Sequence, residues 1–217
     1  MKRKEIITHF AEHLSHFDET YQKLSFVRKG KSVAYYRRGP SHVNKFNISL
    51  SSNPSWRPSA IAWIDPMIWI ELKDVSSVAS DLVGENLLLL ANAPKILLNF
   101  PMSFLLPLES RVKLYATETK DFAGILETVT DHFLQYGLPF FDSMSSADGV
   151  INQFESGNLI SSVQDKIFLI SVMASYIVLG RFDSASSILE TSFSKPGARR
   201  KYAVLFENLP EVIAKYS

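Results

Sequence analysis

Three histidines and a glutamate fall within HFAEHLSHF, residues 9–17. On a helix advancing about 100° per residue, His9 and His13 lie about 40° apart on one side. Two imidazoles so placed can share one zinc ion, with Glu12 polarising a bound water for hydrolysis. His16 lies about 10 Å along the axis from His9 and is badly placed to be a third ligand. The competing reading is a solvated helix face. In it His9, His13 and His16 flank an apolar stripe, with Glu5 and Glu12 supporting His9 and His16 at i, i+4. The second reading is the expectation, with no metal and no cofactor; His9, Glu12 and His13 remain the minor alternative.

Other chemistry is sparse. No phosphate-binding G-x-x-x-x-G-K-[ST] or G-x-G-x-x-G occurs, and no G-x-S-x-G elbow. His42 and His132 are isolated, and Asp131 beside His132 faces elsewhere on a helix. Asp65 and Glu71 are candidate paired carboxylates, since burial beside Trp63 or Trp69 would raise a carboxyl pKa; placement at strand ends facing water is the plainer expectation. With no cysteine in 217 residues, disulfides, thiolate zinc sites and cysteine nucleophiles are all excluded. That composition fits a reducing cytoplasm, and the basic, amphipathic N-terminus MKRKEIITHF carries no secretory signature.

These residues must be positioned by two kinds of element. Ile6, Phe10, Leu14, Phe17, Tyr21 and Leu24 form one stripe, which predicts a single helix over residues 5–24. The period then falls to two. Residues 31–38 and 45–51 read as antiparallel strands, the second with Phe46, Ile48 and Leu50 inward and Asn47 and Ser49 outward. Residues 60–65 and 67–72 read as strands separated at Pro66 by a bulge, edge or turn. Asp74 is expected to cap a helix running to Val83, and residues 110–116 to form the last strand. The segment 86–108 is apolar but holds three prolines, which predicts a turn-punctuated core segment rather than a membrane span.

Helical patterns follow. Residues 119–136 should stop at Gly137 with Pro139 beyond. Ser145 and Asp148 have capping-box spacing. Residues 160–179 end at Gly180, Asp183 opens another helix, and residues 195–200 form a joint. Residues 174–190 look like one tetratricopeptide-type turn without a second copy. Strands first and helices second predict an α+β fold, divided as an α+β domain over 1–157 and a helical C-terminal subdomain over 158–217.

Charge is distributed unevenly. No acidic residue lies between Glu19 and Asp65, while residues 65–217 carry 12 basic and 18 acidic side chains. The candidate binding residues are Arg28, Lys29, Lys31, Tyr35, Arg37, Arg38, Trp56 and Arg57. Basic, aromatic-bearing patches attract acidic protein partners or phosphate backbones. The competing reading is a solvated sheet face whose cations discourage edge pairing.

Two resemblances carry implications. HFAEH resembles the inverted zinc motif of the insulin-degrading peptidase family, which implies a downstream carboxylate ligand, with Glu85 at an approximate spacing. Phe26, Arg28, Lys29 and Gly30, then Phe46 through Leu50, then Gly137 through Phe141, resemble a mostly bacterial family of unknown function over residues 5–156. That resemblance implies an α+β domain without an established catalytic site, some members being immunity-like or accessory proteins. The expected function is therefore non-catalytic binding of a partner protein by a soluble, cytoplasmic, bacterial protein. Nucleic-acid binding through residues 20–64 is the first alternative and zinc-dependent hydrolysis through HFAEH the second. No membrane partner is expected, and oligomeric state is left open.

Overall fold

A computed structural model describes residues 2–84, 98–157 and 166–217. The protein is α+β, with an antiparallel sheet and several helices, including a helical C-terminal region. Strands β1 (Val27–Arg28), β2 (Ala34–Arg38), β3 (His42–Ser52), β4 (Ala62–Leu72) and β5 (Leu98–Pro101) lie in that order across the sheet; β6 (Leu114–Ala116) also pairs with β4. The chain forms two compact units. The first comprises residues 1–39, 44–69 and 99–142, and the second residues 40–43, 70–98 and 143–217.

In the first unit the expected single helix is two, α1 (Arg3–Ser15) and α2 (Asp18–Lys23). The amides of His16 and Phe17 bond back only three residues, which tightens and ends the first helix. Asp18 and Glu19 then occupy the favourable positive end of a new one. The stripe still works: Ile6, Phe10, Leu14 and Tyr21 are fully buried. Phe10 packs edge-on to Phe122, while Tyr21 lies against Tyr35, Phe46 and Phe133.

Strand β4 runs unbroken through Pro66, against expectation. Pairing with β6 covers Ala62 to Ile64 only, so the missing proline N–H falls outside that ladder. Its even-numbered residues are buried and its odd-numbered ones partly exposed, the alternation of a sheet with one face in the core.

A second departure lies at residues 133–143. Helix α4 (Asp121–His132) does not stop at Gly137; it continues through a π-helical turn, Phe133–Gly137, into α5 (Leu138–Ser143). Gly137 serves close packing here. A Cβ on it would meet the Phe133 ring at 3.1 Å and Met102 Sδ at 3.4 Å. Pro139 follows directly after that π-helical turn, at the second position of α5.

In the second unit, α3 (Lys73–Val83), α6 (Ala147–Glu155), α8 (Phe182–Phe193) and α10 (Ala203–Tyr216) pack against α7 (Lys166–Val178), and the short α9 (Pro196–Lys201) lies between α8 and α10 in the chain. Helix α7 is apolar on every side, as a central helix must be. The polar atom of its Ser175 is satisfied by the Ser171 carbonyl. Leu72, not Asp74, occupies the cap position of α3, with Asp74 in the first turn. Ser146, one residue beyond the expected cap, accepts from the Gly149 amide at the start of α6. Gly180 takes φ +69, a left-handed stop that glycine adopts without penalty. Residues 195–200 are mostly helical rather than a joint. Residues 86–97 of the apolar segment, Glu85, and residues 158–165 lie outside the described residues. Among the described residues no helix is long and apolar enough to cross a membrane.

Candidate functional site

The first unit divides the basic segment into buried and exposed parts. Tyr35 is 0% exposed, its hydroxyl donating to Asp18 Oδ1 at 2.7 Å. The Arg28 side chain is only 5% exposed and makes a two-pronged pair with Asp18, at 2.8 Å from Nε and 2.6 Å from Nη2. Burial alone would raise the Asp18 pKa, but hydrogen bonds from Arg28 and Tyr35 and the Arg28 charge outweigh it, and the carboxyl is held low. The same burial, with Asp18 adjacent, pushes the Tyr35 phenol well above its usual range. Arg37 reaches Asp142 at 2.7 Å and lies over the Phe26 ring. These three candidates knit the fold together and offer little surface.

The remaining candidates are outside. Lys29, Lys31, Arg38, Trp56 and Arg57 are exposed. Sheet alternation joins them to Tyr36, Lys45, Trp63, Trp69 and Tyr115, none of which was among the candidate binding residues. Lys45 lies 5.7 Å from the Tyr36 ring centre and 4.3 Å from that of Trp69, so a cation on β3 bridges aromatic rings on β2 and β4. Arg38 also covers Tyr36, at 5.3 Å. Elsewhere in the unit Trp56 is 59% exposed, with its indole N–H donating to the Tyr115 hydroxyl at 3.2 Å. Trp63 meets Trp56 edge-on at 5.5 Å, and Arg57 lies over Tyr115 at 5.6 Å. The missed signal was parity. Lys45 shares its face with Asn47 and Ser49, and the odd-numbered residues of β4 carry Trp63 and Trp69.

Asp65, on the same set of odd-numbered β4 positions, has its carboxyl raised by burial. The candidate carboxylates Asp65 and Glu71 stand six residues apart along β4, too far along an extended strand to share a proton. Among the described residues, Lys29, Lys31, Arg38, Lys45 and Arg57 have no carboxylate partner, in contrast to Arg28 and Arg37.

The histidine stretch is organised differently. Glu12 Oε2 lies 3.3 Å from His9 Nδ1, and Glu5 turns back to accept from the Lys2 amide at 2.9 Å. His13 packs edge-on against His16 and Phe122. Among the described residues no three metal-ligating side chains come together.

Comparison with family models, curated proteins and solved structures finds no match to this chain. The class of molecule is thus defined by its own features: an α+β protein whose sheet carries a half-exposed face of cations set against aromatic rings.

Proposed function

We propose that this chain is a non-catalytic binding protein, immunity-like or accessory in kind, that acts in the cytoplasm by holding an acidic partner protein on its exposed sheet residues. The observation that carries this reading is the set of five exposed or half-exposed cations left without carboxylates, interleaved with Tyr36, Trp56, Trp63, Trp69 and Tyr115. Unneutralised cations favour an anionic counterpart by charge complementarity. Tyr, Trp and Arg are the residues that anchor protein interfaces most strongly. Asp65 among them disfavours a continuous phosphate backbone, which is why a protein is preferred to nucleic acid.

The test is affinity purification from the native host with wild-type protein, Trp56→Ala and Lys45→Glu/Arg57→Glu, followed by calorimetry on the identified partner. Trp56→Ala is expected to weaken binding tenfold or more, matching a loss of about 1.4 kcal/mol or greater. The charge variant is expected to slow association. A partner that binds both variants as tightly as wild type overturns the reading. Tight oligonucleotide binding with a steep salt dependence would place nucleic acid first instead.

A further inference from the structure

A groove of about 580 Å³ opens beside the β1–β2 pair, lined by Ser25, Val27, Lys29, Ser32, Tyr36 and Arg38. Its volume is in the range of small-ligand sites. Among the described residues the lining holds two cations, Lys29 and Arg38, and no carboxylate. Arg28, next to Lys29, has its charge cancelled by Asp18 and so adds none. Ser32 Oγ accepts from the Ala34 amide at 3.1 Å, which fixes the hydroxyl and leaves its proton to donate. Ser25, exposed and held at φ +64, presents a second hydroxyl. Val27, 52% exposed, supplies an apolar wall.

We infer that this groove binds a phosphate monoester carried on a side chain of the partner protein. A phosphate monoester carries a charge of about −1.5 to −2 and three strong acceptor oxygens. It therefore matches two uncompensated cations and two hydroxyl donors better than a single carboxylate does. The apolar wall fits the stem that carries the phosphate. The inference rests on the acidic-partner reading only for the carrier; the anion chemistry stands on the groove.

The experiment is an amide NMR titration of the full-length ¹⁵N-labelled protein with four probes: a phosphoserine peptide, the same peptide unphosphorylated, inorganic phosphate, and a 5′-phosphorylated dinucleotide. The phosphoserine peptide is expected to shift Ser25, Val27, Lys29, Ser32, Tyr36 and Arg38, and the unphosphorylated peptide to leave them in place. Lys29→Gln/Arg38→Gln should weaken the response at least tenfold while the remaining spectrum stays native. Lys31→Gln, exposed but outside the lining, and Trp56→Ala should leave it unchanged. No shift over residues 25–38 at millimolar probe, or an equal shift in the double variant, overturns the inference. Inorganic phosphate or the dinucleotide binding as tightly as the peptide overturns the protein carrier. A partner lost in Trp56→Ala, together with a silent groove, would remove this inference and leave the partner reading intact.

Discussion

Asp18 accepts from two donors that are themselves almost wholly buried, Arg28 and Tyr35. Its folded-state pKa lies below the ordinary 3.8, so it contributes stability that is present above that value and lost as pH falls through the lower, folded one. Asp18→Asn is expected to cost about 1–3 kcal/mol at pH 7, because a buried guanidinium loses its charged partner. The difference from wild type should shrink at pH 3, as urea titrations at the two pH values will show. Asp65 runs the other way. Burial raises its carboxyl, so the folded state bears a penalty at neutral pH that is relieved as pH falls through the raised value. Asp65→Asn should therefore stabilise at pH 7, by less than about 1 kcal/mol once its partial exposure is allowed for, with the gain fading on acidification.

At the scale of elements, helix α1 depends on the fully buried Phe10, and Phe10→Ala should cost about 3–5 kcal/mol in a thermal or urea melt. Phe17, only half-buried at the break between α1 and α2, should cost clearly less. Gly149 is the tightest glycine described, since a Cβ there would lie 1.9 Å from the Ser143 carbonyl oxygen. Gly149→Ala is expected to destabilise by about 1–3 kcal/mol, more if the α5–α6 turn cannot shift. Periodicity made the stripe of α1 and the strands β2 to β4 legible, because burial of one face imposes a repeat that needs no long-range information. The continuation of α4 through Gly137 was not legible: glycine followed by proline ordinarily ends a helix, and here the ring of Phe133 and Met102 demand the small residue. Pro66 misled for a related reason, since which ladder lapses beside it depends on where a strand fifty residues later begins. Of the candidate site, the exposed Lys29, Lys31, Arg38, Trp56 and Arg57 were readable from charge and aromatic content. That Arg28, Tyr35 and Arg37 turn inward was not, because it depends on Asp18 and Asp142 arriving from other elements.

For the whole molecule, a formal charge of +1 conceals a cationic stretch over residues 20–64 opposed by acidic excess elsewhere. Binding to duplex DNA through several of these cations would fall with salt at a log–log slope near −0.9 for each phosphate neutralised. The expected outcome is weak and non-specific at most, checked by titrating labelled oligonucleotides over a salt series with Arg38→Glu/Lys45→Glu as control. A protein partner should show its salt dependence mainly in the association rate. The aromatic side of that surface has a practical consequence. The chain has three tryptophans, and all three, Trp56, Trp63 and Trp69, stand on it, two with their indoles 5.5 Å apart at 82° and the third beneath the Lys45 ammonium. Tryptophan fluorescence, excited selectively over the tyrosines, therefore reports that surface, and the Trp56–Trp63 geometry favours exciton coupling visible in circular dichroism. Occupancy of the surface can be followed by light alone, without attaching a label to it.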